Sequence, residues 1–483
     1  MSGASLLVAS NRGPLSFTSG GDGRLTAKRG GGGLVSGLSG VGGTDAVWVC
    51  AALSDADRQA AREAPDSRLD LAGHDTGGSA VHMLDIDPAT FDDAYNGVAN
   101  STLWFVHHLL YDTPVKPAYG ARFRRLWASY QGYNRAFADA LAGDAADGAR
   151  VAVQDYHLAL VPRQLRRRRP DLRIGHFSHT PWAPPDYFRI LPDAVAEQVL
   201  LGMLGADYAA FLTHRWAESF MACCSAVLGA DADRATMTVR HDGGITRVGV
   251  HGLGADAGFL RERAARPDVD QRLAELREAA GDRRVIVRVD RAELSKNIVR
   301  GLQAYRELLR THPQWLTRVV HVAFAYPSRQ DLPEYREYTS LVRRVADEID
   351  QEFGTPDWRP LLLHVEDDFP RSLAAFRIAD VLLVNPVRDG MNLVAKEAPV
   401  VSERGFALVL SREAGAADDL GDAAILVNPF DVTQTAEALH SALTMDEAER
   451  ADRCRRLARA ATRLSPQQWF ADQLAALEPD HQV

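Results

Sequence analysis

The sequence predicts an α/β protein built from two doubly wound, mostly parallel sheets. Short β-branched runs alternate with longer helical patterns along most of the chain, as crossover helices between parallel strands require. At 483 residues the chain exceeds the ~250–300 residues that one hydrophobic core organises, so two domains are expected. Polar residues recur directly after the strand candidates, where open α/β sheets bind their ligands.

In the first half, strands are expected at 5–10, 46–50, 150–154, 173–178 and 208–213. In the second half they are expected at 284–289, 318–324, 361–364, 381–385, 407–410 and 424–427. The apolar, glycine-rich stretch 249–254 reads as a crossover, giving a first domain at 1–252 and a second at 253–465. The helical stretch 466–483 is expected to pack back onto the first domain. Two such domains imply a cleft between the carboxyl ends of their sheets.

Hydrophobic residues make up 46% of the chain and charged residues 25%, which excludes a disordered chain. No apolar run approaches the ~20 residues of a spanning helix and no secretory start is visible, so a cytoplasmic enzyme with no membrane partner is expected. Cys50, Cys223, Cys224 and Cys454 form no CxxC pair and read as reduced thiols. The net charge of −9 argues against a nucleic-acid surface, so an anionic ligand must be met by a local cluster of cations. The run Arg166 to Arg169 closes an expected helix at 157–169 just before Pro170 and reads as a solvated helix end.

A better cluster follows the strand at 284–289. Arg291 and then Lys296, at the start of a helix expected at 296–309, place two cations near free N–H groups, an arrangement suited to a diphosphate. Surface charge on an ordinary αβ unit is the alternative. The segment RDGMNLVAKE at 388–397 is more specific: Pro386 ends a strand, Gly390 admits close backbone approach, and 391–394 open a helix. Asp389 is then placed for a ring hydroxyl or amine and Glu397 for a ribose diol, a plain helix cap being the bland reading. The run RGGGGL at 29–34, with Gly32 and Gly33, lies too far from the first strand for a dinucleotide fingerprint and reads as a loop closing over a donor, or as a linker. Asp155-Tyr156-His157 and His179-Thr180-Pro181-Trp182 add polar groups at two further strand ends, with no HxxxH, HxH or DxD there to support a metal. No metal and no cofactor are expected.

Together these motifs resemble glycosyltransferase family 20, the trehalose-6-phosphate synthase family, over nearly the whole chain. The resemblance rests on SNR at 10–12, GGL at 32–34, YNGVAN at 95–100 followed by Trp104, QDYHL at 154–158, the HTP loop, Ser328-Arg329, RDGMNLVAKE, AGAA at 414–417 and NPFD at 428–431. It implies the GT-B fold of two Rossmann-like domains with an interdomain cleft, and metal-independent transfer with retention. It further implies that Arg291 and Lys296 hold the donor diphosphate, beside Gly32, Gly33 and main-chain groups of Asn392, Leu393 and Val394, with Glu397 on the ribose. Asp389 and His179 would contact the transferred ring, and Asp155 would orient the acceptor or take its proton. Arg12, Tyr95, Trp104 and Arg329 would receive the acceptor phosphate.

The departures set the finer expectation. DRAELSKN at 290–297 stands where the family commonly has ERLDYSKG, AVWVCAAL at 46–53 where it has a tryptophan-rich GLWFGWSG-like stretch, and HTPWA at 179–183 where it has HIPFP. This pattern resembles the pseudo-glycosyltransferase branch that serves validamycin biosynthesis, with altered ring and acceptor pockets beside an intact diphosphate grip. That resemblance implies a GDP-linked cyclitol donor, GDP-valienol, and a phosphorylated aminocyclitol acceptor, validamine 7-phosphate, joined through a C–N bond. It leaves room for a homodimer. A trehalose-6-phosphate synthase using a nucleotide-glucose donor and glucose 6-phosphate is the alternative, and a non-catalytic, sugar-phosphate-binding regulatory homologue the third reading.

Overall fold

The computed structural model describes residues 3–21, 24–30 and 46–478. The chain divides into two compact units, one formed by Met1–Leu253 with Pro466–Val483 and the other by Gly254–Ser465.

Strands of the first unit are β1 (Ala4–Ser10), β2 (Leu15–Ser19), β3 (Leu25–Arg29), β4 (Ala46–Ala51), β5 (Ala80–Leu84), β6 (Ala145–Gln154), β7 (Arg173–Ser178), β8 (Tyr208–Phe211), β9 (Asp231–Asp233), β10 (Thr238–His241) and β11 (Gly244–Val250). Nine of them form a sheet in the order β5-β4-β1-β6-β7-β8-β11-β10-β9, while β2 and β3 pair as a separate antiparallel hairpin. The sheet is parallel from β5 to β11, and the β11–β10–β9 edge is antiparallel. From β1 the chain first winds outward through β4 and β5, then returns to β6 and winds the other way. The strand order therefore reverses between β1 and β6.

The second unit contains β12 (Arg284–Arg291), β13 (Val319–Tyr326), β14 (Leu361–His364), β15 (Val381–Val384), β16 (Ala407–Ser411) and β17 (Ile425–Val427), wholly parallel in the order β14-β13-β12-β15-β16-β17. Its reversal lies between β12 and β15. Burial on both faces explains the unbroken apolar runs: Val285, Ile286, Val287 and Val381 to Val384 are all buried under flanking helices. Both units are thus doubly wound and Rossmann-like.

Several expectations need correction. Strands β2, β3, β5, β9, β10 and β11 were not expected, and the stretch 249–254 is not wholly a crossover, because Gly249 and Val250 complete β11 beside β8. The helix expected at 157–169 is a short turn at Tyr156–Leu158 followed by a helix at Val161–Arg166, with Pro162 in its first turn. Its arginines are not merely solvated. Arg166 pairs with Asp207 at 2.6 Å, and Arg169 donates to the carbonyls of Ala142, Ala145 and Ala146. All four cysteines are free and buried.

The helix Pro466–Ala475 belongs to the first unit. Trp469 is fully buried edge-on against Phe177 of β7, at 5.0 Å between ring centroids, and Arg247 of β11 donates to the carbonyl of Ala476. Gly175 has no side chain where Leu477 lies, since a Cβ there would come within 3.1 Å of it.

Candidate active site

Both reversal points carry the residues singled out in the sequence. In the second unit, β12 delivers Arg291 and the chain turns at once. A single 3-10 turn, Leu294–Lys296, is followed by Asn297 at φ +58°, and the helix Ile298–Thr311 begins there rather than at Lys296. Asn297 tolerates this left-handed backbone and uses it: Nδ2 donates to the carbonyls of Asn385 at 2.9 Å and Pro429 at 2.7 Å. The turn is thereby tied to the loop after β15.

That loop is held from the other side. Asp389 and Ala414 form an isolated parallel bridge, and the amides of Gly415 and Ala416 donate to the carbonyls of Asp389 and Met391. Asn392, at φ +74°, caps the helix Leu393–Val401 by accepting from the amide of Ala395. Asn392 Nδ2 also donates to Asp389 Oδ2 at 3.1 Å, and Lys296 Nζ lies 2.5 Å from the same oxygen. Arg291, Lys296, Asp389, Asn392, Leu393 and Val394 are thus gathered at one end of one sheet, at a helix N-terminus. Glu397 follows in the second turn of that helix, and burial raises its carboxyl to about 7.

Burial works against the charge of Lys296, but the Asp389, Glu293 and Asp290 carboxylates outweigh it and keep its pKa above the ordinary lysine value. Glu293 was not singled out in the sequence. Its side chain is fully buried, and Oε1 lies 3.1 Å from Arg291 Nη1 and 3.7 Å from Arg329 Nη1 and accepts from Ser328 Oγ at 2.9 Å. Burial alone would raise its pKa, yet these cations, with Lys296, hold it at about 2. Arg288, also missed, is fully buried beneath the turn. Its Nη2 donates to Asp290 at 2.7 Å and to the Lys296 carbonyl at 3.1 Å. Gly301 makes room for it, because a Cβ there would lie 2.1 Å from Nη1.

Arg329, at φ +46°, donates to Tyr335 Oη at 2.7 Å and lies in the second unit, sharing Glu293 with Arg291. The other residues expected to meet the acceptor phosphate, Arg12, Tyr95 and Trp104, lie in the first unit.

In the first unit, Asp155 follows β6 at φ +74° and its Oδ1 accepts from the amide of His179, 3.1 Å away. Its Oδ2 is 3.8 Å from His157 Nδ1, and the His157 ring stacks on Tyr95 at 5.5 Å. Trp104 lies 5.7 Å from the Tyr156 ring. Asp155, His179, Tyr95 and Trp104 therefore form one cluster at the ends of β6 and β7. Arg12 is exposed just past β1, beside Asn11, whose Oδ1 accepts from Tyr133 Oη at 2.5 Å. Gly32 and Gly33 lie outside the described residues. Among the described residues, no group of three or more His, Cys, Asp or Glu side chains is arranged to hold a metal.

Of the family departures, Trp182 of HTPWA is a matter of folding, buried among Phe188, Phe211 and Phe220. Asn297 is another, since its backbone sits where glycine is otherwise favoured. Trp48 of AVWVCAAL stands where the family stretch also has Trp, buried in β4 with its Nε1 donating to Ser10 Oγ, while Ala51 stands where that stretch has its second Trp.

The model of glycosyltransferase family 20 matches residues 4–479. An α,α-trehalose-phosphate synthase (UDP-forming) of Emericella nidulans is 33% identical over 456 residues, covering 92% of this chain and 86% of that protein. A bifunctional trehalose-6-phosphate synthase/phosphatase of Thermoproteus tenax is 33% identical across 95% of this chain and 61% of its own length. Among solved structures, the E. coli trehalose-6-phosphate protein bound with UDP-2-fluoro glucose superposes with a TM-score of 0.85 at 27% identity, covering 98% of both chains. A Burkholderia xenovorans α,α-trehalose-phosphate synthase (UDP-forming) in complex with glucose-6-phosphate gives a TM-score of 0.83 at 25% identity, covering 98% of this chain and all 100% of that one.

Proposed function

The chain belongs to glycosyltransferase family 20, a family of retaining GT-B enzymes, and from that premise we propose that it is a trehalose-6-phosphate synthase, moving glucose from a nucleoside diphosphate to glucose 6-phosphate. The observation that carries this reading is the gathering of Arg291, Lys296, Asp389 and the Leu393 helix start at one switch point. Trehalose-phosphate synthases 33% identical across more than nine-tenths of the chain support it.

In this reading Arg291 and Lys296 take the charge of the departing diphosphate, a role filled without a metal, and Glu397 holds the ribose. Asp389 and His179 fix the transferred ring, Asp155 orients the acceptor, and Arg12, Tyr95, Trp104 and Arg329 receive its phosphate. The protein then supplies positioning and electrostatics to a reaction in which the leaving phosphate takes the incoming proton. We read the base as guanine, because the exposed Glu366 and Asp367 just after β14 offer acceptors for its N1–H and amino group.

The second reading is validoxylamine A 7'-phosphate synthase, a pseudo-glycosyltransferase joining GDP-valienol to validamine 7-phosphate. Its support rests on Leu294, which stands where the family commonly has Tyr, and on Ala51, where the family stretch has its second Trp, since Asn297 and Trp182 have structural reasons of their own. Mass spectrometry of paired incubations tests both. Product from GDP-glucose or UDP-glucose with glucose 6-phosphate is the expected result, and product only from the cyclitol pair would replace the first reading with the second.

A further inference from the structure

The helix Pro466–Ala475 reaches the candidate site through one line of side chains. Gln473 Nε2 donates to the carbonyl of Trp469 at 3.3 Å, Gln154 Nε2 donates to Gln473 Oε1 at 3.3 Å, and Gln154 Oε1 lies 3.0 Å from His179 Nε2. Both glutamines are buried, so an amide turned the wrong way has no bulk solvent to compensate it. A side-chain amide can be turned end for end, but the carbonyl of Trp469 only accepts. Turning Gln473 would set oxygen against oxygen there. With Gln473 fixed, turning Gln154 would set its oxygen against Gln473 Oε1. The line therefore has one polarity, and its last acceptor, Gln154 Oε1, requires a proton on His179 Nε2.

We propose that Gln154 and Gln473 are positioning residues that hold His179 in its Nε2–H form, so that Nδ1 meets the transferred ring only as a hydrogen-bond acceptor. This rests on the reading that His179 faces that ring. Burial holds the imidazole down at about 4, so it is neutral at neutral pH and has no second proton to offer. The neighbouring Asp155 carboxylate accepts from the main-chain amide of His179. The ring of Trp469, 5.4 Å from that of His179, limits its rotation. Among the described residues Nδ1 has no hydrogen-bond partner. A donor hydroxyl satisfies Nδ1. Fluorine, a carbonyl or a carboxylate at the same place does not, so the relay makes this corner of the site selective for a hydrogen-bond donor over an acceptor.

The test is the histidine tautomer in the free protein, read by NMR on a sample labelled with 15N-histidine, the His179 signals being identified by their loss in His179→Gln. The expected result is a protonated Nε2 and an unprotonated Nδ1. Gln473→Leu removes the anchor and should give mixed tautomers, with about tenfold lower kcat/KM for the nucleotide sugar and an unchanged KM for the sugar phosphate. Gln473→Glu, protonated in this buried place, still donates to Trp469 and accepts from Gln154, and should restore both. A protonated Nδ1 in the unaltered protein, or an unchanged tautomer ratio in Gln473→Leu, overturns the proposal. If Gln473→Leu does not fold, the signals of the unaltered protein still decide. The tautomer is read without substrate, so a protein that holds Nε2–H but transfers no glucose would count against the proposed function and not against the relay.

Discussion

The ammonium of Lys296 rests 2.5 Å from Asp389 Oδ2, across 93 residues of sequence, with both side chains largely covered. Before a donor binds, the two neutralise each other. In the proposed function, a diphosphate drawn to Lys296 would free Asp389 to turn to a ring hydroxyl. Lys296→Met should therefore weaken nucleoside diphosphate binding by ~1.5–3 kcal/mol. Asp389→Asn should leave that binding within a few-fold while cutting turnover by about a hundredfold through loss of ring positioning. Calorimetry with the nucleotide beside a turnover assay separates the two. Equal losses of nucleotide affinity in both variants would assign Asp389 to the nucleotide instead.

Glu293 makes a prediction about acid. Its folded pKa of about 2 lies below the ordinary 4.5, so its contribution to stability is complete above about pH 4.5 and is lost as pH falls towards 2. Glu293→Gln leaves Arg291 and Arg329 without their shared anion and should cost about 3 kcal/mol at pH 7. Urea midpoints at falling pH should converge for the two proteins. A gap that stays constant down to pH 3 would mean that shape, not charge, is lost.

Glu397 carries the opposite sign. Its folded pKa, about 7, lies above the ordinary 4.5, so between those values the folded state keeps a proton that the unfolded chain has released. Stability should fall as pH rises through that window and level off above it. Because the residue keeps some solvent contact, Glu397→Gln should gain only about 1–2 kcal/mol at pH 8. It should also lose several-fold in nucleotide affinity if the carboxylate holds the ribose. Melting temperatures across the window check the first expectation, and a titration with nucleotide checks the second.

The base is decided by thermal shift. GDP should stabilise the protein more than UDP at equal concentration, and Glu366→Gln with Asp367→Asn should narrow the difference. Equal or greater stabilisation by UDP would refute guanine.

Much of the candidate site was legible because its residues lie at or soon after the ends of strands whose apolar runs are unmistakable, as with Arg291 at the end of β12 and Asp389 beyond Val384. Glu293 was hidden for a physical reason: beside a cation expected to meet phosphate, a carboxylate reads locally as a repeller, and only the folded chain shows it shared by Arg291 and Arg329. Asn297 misled in the other direction. Read as a change of pocket chemistry, it proves to be a left-handed residue whose side chain clamps two carbonyls. Nothing in local sequence links Gln473 to Gln154, because the pairing exists only once the last helix lies on β6 and β7.

The return of Pro466–Val483 to the first unit makes the second unit an insertion in it. On the ribosome, Trp469 and Gln473 emerge only after the whole of Gly254–Ser465 has been made, so the first unit waits unfinished through the synthesis of the second. During that interval Phe177 and Gln154 lack their cover. The half-built protein thus exposes sticky apolar surface at the place where its histidine will later be set, and a premature stop near residue 465 would harm the opposite end of the gene product from the one it shortens.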